Sequence, residues 1–136
     1  MRVISGSPGS TADITARFIG QKLTERYKQQ FVIDNRASGI IPGEVAARTA
    51  PDGYSLLFYN NTLWVAPLIQ KTSYDAVKDF VAVTLVSRSP NILVVHASVE
   101  ASSVKDLIAL AKARRGSPVF ASAGNGTSGH LALEQF

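Results

Sequence analysis

The period of apolar and polar positions changes several times along the chain, and each change marks an element. Arg2–Ser5 carries the β-branched pair Val3 and Ile4 and breaks at Ser5-Gly6-Ser7-Pro8-Gly9-Ser10, a run of turn-forming residues. Ala12, Ala16, Ile19 and Leu23 then recur at spacings of 4, 3 and 4, which predicts a helix from about Ala12 to Tyr27 with Gln21, Lys22, Glu25 and Arg26 mostly off that face. Ser10 or Thr11 is the expected N-cap, and Asp13 stands in the first turn, where a carboxylate opposes the helix dipole. Phe31–Asp34 reads as a strand, Asn35–Pro42 as a loop and Gly43–Thr49 as a short helix. Pro51-Asp52-Gly53 is a turn. Ser55–Tyr59 is a strand, apolar through its middle and expected to be buried on both faces. Asn60-Asn61-Thr62 ends it and opens a helix near Leu63–Ile69.

Phe80–Val86 and Asn91–His96 read as two further strands around Ser87-Arg88-Ser89-Pro90. No helix fits between them, so they form a hairpin or one long kinked strand leading from one domain to the next. Ser102 and Ser103 begin a helix in which Ser103 and Asp106 match a capping box. Val104, Leu107, Ile108 and Ala111 keep helical spacing, and Gly116-Ser117-Pro118 stops the helix. Val119–Ala121 is expected as a strand, Ser122–Thr127 as a glycine-rich loop and Ser128–Phe136 as another helix. Such strand–helix alternation predicts an α/β fold with a parallel or mostly parallel sheet.

Composition narrows the chemistry. The 136 residues are 46% hydrophobic and 18% charged, enough apolar residue for a core. Fourteen Lys and Arg against ten Asp and Glu give a net charge of +4, a mild excess that suits small anions. The densest basic patch, Lys112, Arg114 and Arg115, reads as a helix C-terminus and not as a nucleic-acid stripe. Absent cysteine removes disulfides, thiolate metal sites and a cysteine nucleophile, and His96 and His130 are too scattered for a histidine metal site. No apolar run approaches the ~18 residues of a membrane span. Met1-Arg2 leads directly into a strand, so any export leader lies outside this chain.

Three strand-to-helix loops can carry chemistry: Ser5–Thr11, Asn60–Thr62 and Ser122–His130. Loops of this kind gather at the carboxyl edge of an α/β sheet, where free N–H groups and helix dipoles favour an anion. Any one of them is explained by turns and caps alone; three on one edge point to a small anionic ligand held by amides and hydroxyls. Gly124-Asn125-Gly126-Thr127-Ser128-Gly129 spells G-x-G-x-x-G, yet the acidic residue a dinucleotide site needs about 20 positions later would lie beyond Phe136. His130 follows that loop without a G-x-S-x-G elbow to serve, and reads as a capping histidine. His96 reads as a strand-end residue and Trp64 as core or cleft wall. Asp13 suits either a structural first-turn role or a ligand's amino or hydroxyl group.

Ser7-Pro8-Gly9-Ser10-Thr11-Ala12-Asp13, Ala50-Pro51-Asp52-Gly53-Tyr54, Tyr74-Asp75-Ala76-Val77-Lys78-Asp79-Phe80 and Ala121-Ser122-Ala123-Gly124-Asn125-Gly126-Thr127-Ser128-Gly129-His130-Leu131 occur in that order. Together they resemble the tripartite tricarboxylate transporter substrate-binding proteins, the Bug-type periplasmic receptors. The resemblance implies a periplasmic-binding-protein-like lobe with a mostly parallel sheet flanked by helices, at residues 1–95, and the start of a second lobe at 96–136. It implies a non-catalytic, cofactor-free solute-binding protein that captures a small carboxylate between lobes and delivers it to membrane transporter subunits. Carried over by position, the ligand-binding residues are Ser7, Gly9, Ser10, Thr11 and Asp13, then Asn60, Asn61 and Thr62, and Ser122, Gly124, Asn125, Thr127 and His130.

Members of that family are roughly twice this length, so the chain resembles an N-terminal half. Exposed apolar faces at Leu107–Ala111, Val119–Ala121 and Leu131–Phe136 are then expected to drive homo-oligomerisation or segment exchange. The competing functions are a non-binding oligomerising fragment and a nucleotide-dependent enzyme.

Overall fold

A computed structural model describes residues 1–37, 39–113 and 120–135. Strand β1 (Arg2–Ser5) lies at the centre of a three-stranded parallel sheet, between β2 (Val32–Asn35) and β3 (Ser55–Phe58). Parallel neighbours need crossovers. Helix α1 (Thr11–Tyr27) supplies the first and α2 (Ile41–Ala47) the second. Arg2 stands opposite Val32 and Ser55, and Ser5 opposite Asn35 and Phe58, so the three strands begin and end together. Their following loops therefore leave from a single edge. Helix α3 (Thr62–Ile69) follows β3; α4 (Val104–Ala113) and α5 (Ser128–Gln135) complete the described helices.

Burial follows this order. In the central strand Val3, Ile4 and Ser5 are buried. Helix α1 meets the sheet through Ala16 and Gly20, and a side chain at Gly20 would approach the Ile33 Cδ1 to 3.3 Å. The expected face of Ala12, Ala16, Ile19 and Leu23 is the inner one, whereas Ile14 and Phe18 point outward. A second core joins Leu63, Tyr74 and Ala76 to Ile40, Ala47, Leu57, Tyr59 and Phe80. Tyr74 donates its hydroxyl to the Leu63 carbonyl at 3.1 Å and packs edge-on to Phe80, ring centres 5.8 Å apart.

The short motifs have structural work. The Asp52 carboxylate accepts the Tyr54 N–H, while the Tyr54 carbonyl accepts the Arg2 N–H, which aligns β3 with β1. Asp75 accepts the N–H groups of Val77 and Lys78, and Asp79 accepts that of Asp75; these bonds fix the turn between Tyr74 and Phe80. The Val77 and Lys78 amides also hold the Asp75 carboxyl below its ordinary range. At the start of α4, Ser103 accepts the Asp106 N–H while the Asp106 carboxylate turns back to Ser102, one residue earlier than the usual box.

Three expectations are corrected. Strand β3 is half-buried along its length, because β1 takes the centre and leaves β3 on the sheet's edge among the described strands. Residues 80–96 form neither a hairpin nor a kinked strand. Val81, Val83, Ile92 and Val94 are strongly exposed there. A strand exists only where a neighbour takes its N–H and C=O groups, and none of the described segments does so; β-branched composition expresses local preference alone. His96 accordingly ends no strand, and its Nδ1 contacts the Ser98 hydroxyl at 2.8 Å. Phe120 and Ala121 are not strand either. The remaining expectations at Arg114, Arg115, Gly116-Ser117-Pro118, Val119 and Phe136 lie outside the described residues.

Gly43 is the tightest of the glycines in this packing. A Cβ there would stand 2.8 Å from Cε1 of Tyr74 and 3.0 Å from Leu63 Cδ1. Gly43→Ala is expected to lower the unfolding free energy in urea by about 1–3 kcal/mol through overpacking. Gly129→Ala, where nothing lies within 4 Å of the added carbon, should leave stability unchanged or raise it by up to about 1 kcal/mol.

Candidate functional site

At the sheet's carboxyl edge the first loop is ordered from within. Ser10, extended at ψ 159°, is the N-cap of α1, and its Oγ accepts the Asp13 N–H at 3.2 Å. Asp13 is buried and spends both carboxylate oxygens on protein. Oδ2 accepts the Gly9 N–H at 2.8 Å, and Oδ1 accepts Asn35 Nδ2 and pairs with Arg17 Nε, each at 2.8 Å. Gly9 has φ +78°, a conformation that glycine adopts without cost. The Asn35 amide also reaches the Gly6 carbonyl at 2.8 Å, binding the ends of β1 and β2 together. The Gly9 amide, the Asn35 amide and the Arg17 charge hold the Asp13 carboxyl below its ordinary range despite its burial. Ser7 accepts the Ser10 N–H through its carbonyl, and Thr11 is exposed on the first turn.

Tyr59 connects this loop to the next. Gly6 sits over its ring, where a Cβ would meet Cε2 at 3.2 Å. The Tyr59 hydroxyl accepts the Gly39 N–H at 3.0 Å and donates to the Gly39 carbonyl at 2.9 Å. Burial raises the phenol's pKa against the opposing Gly39 N–H, so the hydroxyl keeps the proton this double bond requires.

Gly39, Ile40 and Ile41 form one wall of a cleft of about 340 Å³; Ala123, Gly124, Asn125 and Thr127 form the other, with Gln70 at the end of α3. None of these lining residues is charged. The glycine loop reaches this position by docking on α3: Gly126, at φ +77°, is buried where a Cβ would lie 3.4 Å from Ile69 Cδ1 and 3.7 Å from Thr62 Cγ2. Thr127 donates its hydroxyl to the Gly124 carbonyl at 2.8 Å and accepts the His130 N–H at 3.3 Å. Ser122 accepts the Gly124 N–H at 3.4 Å.

Of the sequence candidates, Gly124, Asn125 and Thr127 line the cleft. Ser122 and His130 stand beside it; His130 Nε2 lies 3.6 Å from Glu134 and its Nδ1 is buried with no hydrogen-bond partner among the described residues. Ser7, Gly9, Ser10, Thr11 and Asp13 are not among its lining residues; their loop meets Tyr59 through Gly6. Asn60 Oδ1 accepts the Thr62 N–H, Asn61 is exposed at the N-cap of α3, and Thr62 is fully buried with its Oγ1 unpartnered among the described residues. Trp64 is half-exposed on α3 and lines neither core nor cleft.

The residues missed in sequence are Gly39, Ile40, Ile41, Gln70 and, within the glycine-rich loop itself, Ala123. The first three belong to the loop between β2 and α2, which the same carboxyl-edge argument covers. That loop lacks the Ser, Thr and Asn density that drew attention elsewhere. Gln70 had no local signal, because only the docking of the glycine loop brings it to the cleft.

A parallel sheet whose carboxyl edge carries an uncharged cleft is the arrangement of a periplasmic-binding-protein-like lobe. Residues 15–136 match the family described as Tripartite tricarboxylate transporter family receptor, and the chain belongs to that family. The UPF0065 protein in the tcbD-tcbE intergenic region of Pseudomonas sp. strain P51 is 38% identical over 96% of this chain and 40% of its own length. Protein BugT of Bordetella pertussis is 32% identical over 98% of this chain and 43% of its own length. A UPF0065 protein in the gbd 5' region of Cupriavidus necator is 30% identical, with 98% of this chain and 41% of the relative covered. The chain thus spans about two fifths of the length of these curated relatives.

Asp13 supplies a test of the loop's construction. Its folded carboxyl titrates below the unfolded range, so its stabilisation is complete above about pH 4 and is lost as pH falls through the depressed value. Asp13→Asn is expected to lower the melting temperature at neutral pH, and the gap from the parent should close on acidification. A gap independent of pH in thermal scans would contradict this account.

Proposed function

We propose that this chain forms the first lobe, residues 1–95, and the opening of the second, residues 96–136, of a periplasmic solute receptor. It captures a small mono-, di- or tricarboxylate and presents it to the membrane subunits of a tripartite tricarboxylate transporter. The reading is supported chiefly by the cleft between Gly39–Ile41 and the glycine loop, whose lining is uncharged, polar at Gln70, Asn125 and Thr127 and apolar at Ile40, Ile41 and Ala123. Its volume of about 340 Å³ falls within the roughly 300–1,000 Å³ of small-ligand sites. Asn125 offers a side-chain amide donor there and its backbone N–H a second, while the hydroxyl and N–H of Thr127 are spent on the Gly124 carbonyl. The loop containing Ser7, Gly9, Ser10 and Thr11 flanks the cleft through Tyr59, with Asp13 setting its shape. Asn60, Asn61 and Thr62 anchor α3, on which the glycine loop rests; Ser122 and His130 hold that loop's two ends. Binding of this kind requires no cofactor, and no helix among the described residues is long and apolar enough to cross a membrane.

Titration calorimetry against a series of mono-, di- and tricarboxylic acids tests the assignment, with heat of binding and a raised melting temperature expected for at least one acid. Asn125→Ala should weaken that acid by about 10–100-fold, the effect of losing a hydrogen bond to a charged group worth about 1.5–3 kcal/mol. Absence of binding across the series would overturn the proposal for this chain.

The exposed Val81, Val83, Ile92 and Val94 favour a second property, self-association through residues 80–96. Sedimentation velocity should show a concentration-dependent shift toward dimer or larger species. Replacing Val83 and Val94 together by Lys should reduce it; a monomer at every concentration would exclude it.

A further inference from the structure

We propose that Asn125 is a site of spontaneous deamidation that gives the cleft a negative charge. Asn125 is exposed, and Gly126 follows it with no Cβ to hinder approach to the backbone nitrogen. Among the described residues, neither the Asn125 side-chain amide nor the Gly126 N–H makes a hydrogen bond. Asn35, Asn60 and Asn91 differ on both counts, and Asn61, exposed at the α3 N-cap without a side-chain cap bond, differs in the residue that follows it. Asn35 is held by Gly6, Asp13 and Arg17, Asn60 by the Thr62 N–H and Asn91 by the Ser128 hydroxyl. Asn35, Asn60, Asn61 and Asn91 are each followed by a residue with a side chain, namely Arg36, Asn61, Thr62 and Ile92.

The Gly126 nitrogen, losing its proton, attacks Asn125 Cγ; the C–N bond to the side-chain nitrogen breaks and ammonia leaves, closing a five-membered succinimide. Water opens the ring at either carbonyl, giving aspartate or isoaspartate, and no oxidant or reductant is consumed. The exposed position of Asn125 gives that water access. Because Asn125 lines the cleft, the new carboxylate places like charge against a carboxylate ligand. This consequence rests on the function proposed above; the chemical step does not.

The folded protein, held at mildly alkaline pH and physiological temperature, is digested and analysed by mass spectrometry. The peptide carrying Asn125 is expected to gain the mass difference between an amide and an acid, as paired aspartate and isoaspartate forms, about tenfold faster than any peptide carrying the other four asparagines, a barrier difference near 1.4 kcal/mol. Asn125→Gln, which cannot close a five-membered ring, should abolish it while keeping the fold. An Asn125 that stays intact in the folded chain, while a free peptide of residues 121–130 deamidates, would overturn the proposal. Aged protein and Asn125→Asp should both lose at least about tenfold in affinity for the acid bound by fresh protein, again about 1.4 kcal/mol; undiminished binding would overturn the charge effect. If fresh protein binds no acid, the receptor reading fails while the mass shift still decides the chemistry.

Discussion

The common register of three parallel strands is the constraint on which the rest depends. Ser5, Asn35 and Phe58 end their strands side by side, so every loop that follows emerges at one edge. Parallel pairing forces helical crossovers, and those helices begin at that edge with their free N–H groups. Antiparallel pairing of the same strands would send alternate loops to opposite ends. The concentration of polar loops is therefore a product of topology before it is a product of any side chain.

Within that frame the loops stiffen one another. Asp13 closes the first loop on itself through Gly9 and reaches Asn35 at the end of β2. Tyr59, at the end of β3, carries Gly6 on its ring and holds Gly39 by both backbone groups. The Gly39 side of the cleft is thus tied to all three strand ends. The opposite wall is held differently. The glycine loop rests on α3 through Gly126, a contact that a larger residue would disturb, and its own turn is closed by Thr127. One wall is thus built on the sheet and the other rests on a helix.

The charge distribution in this arrangement has a consistent logic. The acidic side chains near the edge are consumed by protein partners: Asp13 by Gly9, Asn35 and Arg17, and Asp34 by Arg2 and Arg36. Burial would raise the Asp34 carboxyl, but the two guanidinium groups outweigh it and hold it below its ordinary range. Among the described residues no carboxylate lines the cleft, so an amide-to-acid change at Asn125 would bring the first negative charge to it.

The periodicity at Ala12, Ala16, Ile19 and Leu23, the Ser10 cap, the Ser103–Asp106 box and the three parallel strands were all legible in the sequence, because each depends on residues within a few positions or on simple alternation. So was the family likeness, carried by ordered motifs whose aspartates and glycines make the turns now visible at Asp52 and Asp75. Other features needed the assembled molecule. Which strand takes the centre depends on pairing order, so Ser55–Phe58 sits at an edge among the described strands and Ser5 is buried. The segments at 80–96 have strand composition but no pairing neighbour among the described residues, a fact that no local preference contains. Gly39 and Gln70 meet Asn125 only because the glycine loop lies down on α3, a contact between residues far apart in the chain. Local chemistry chose the elements, and long-range packing chose which of their ends face one another.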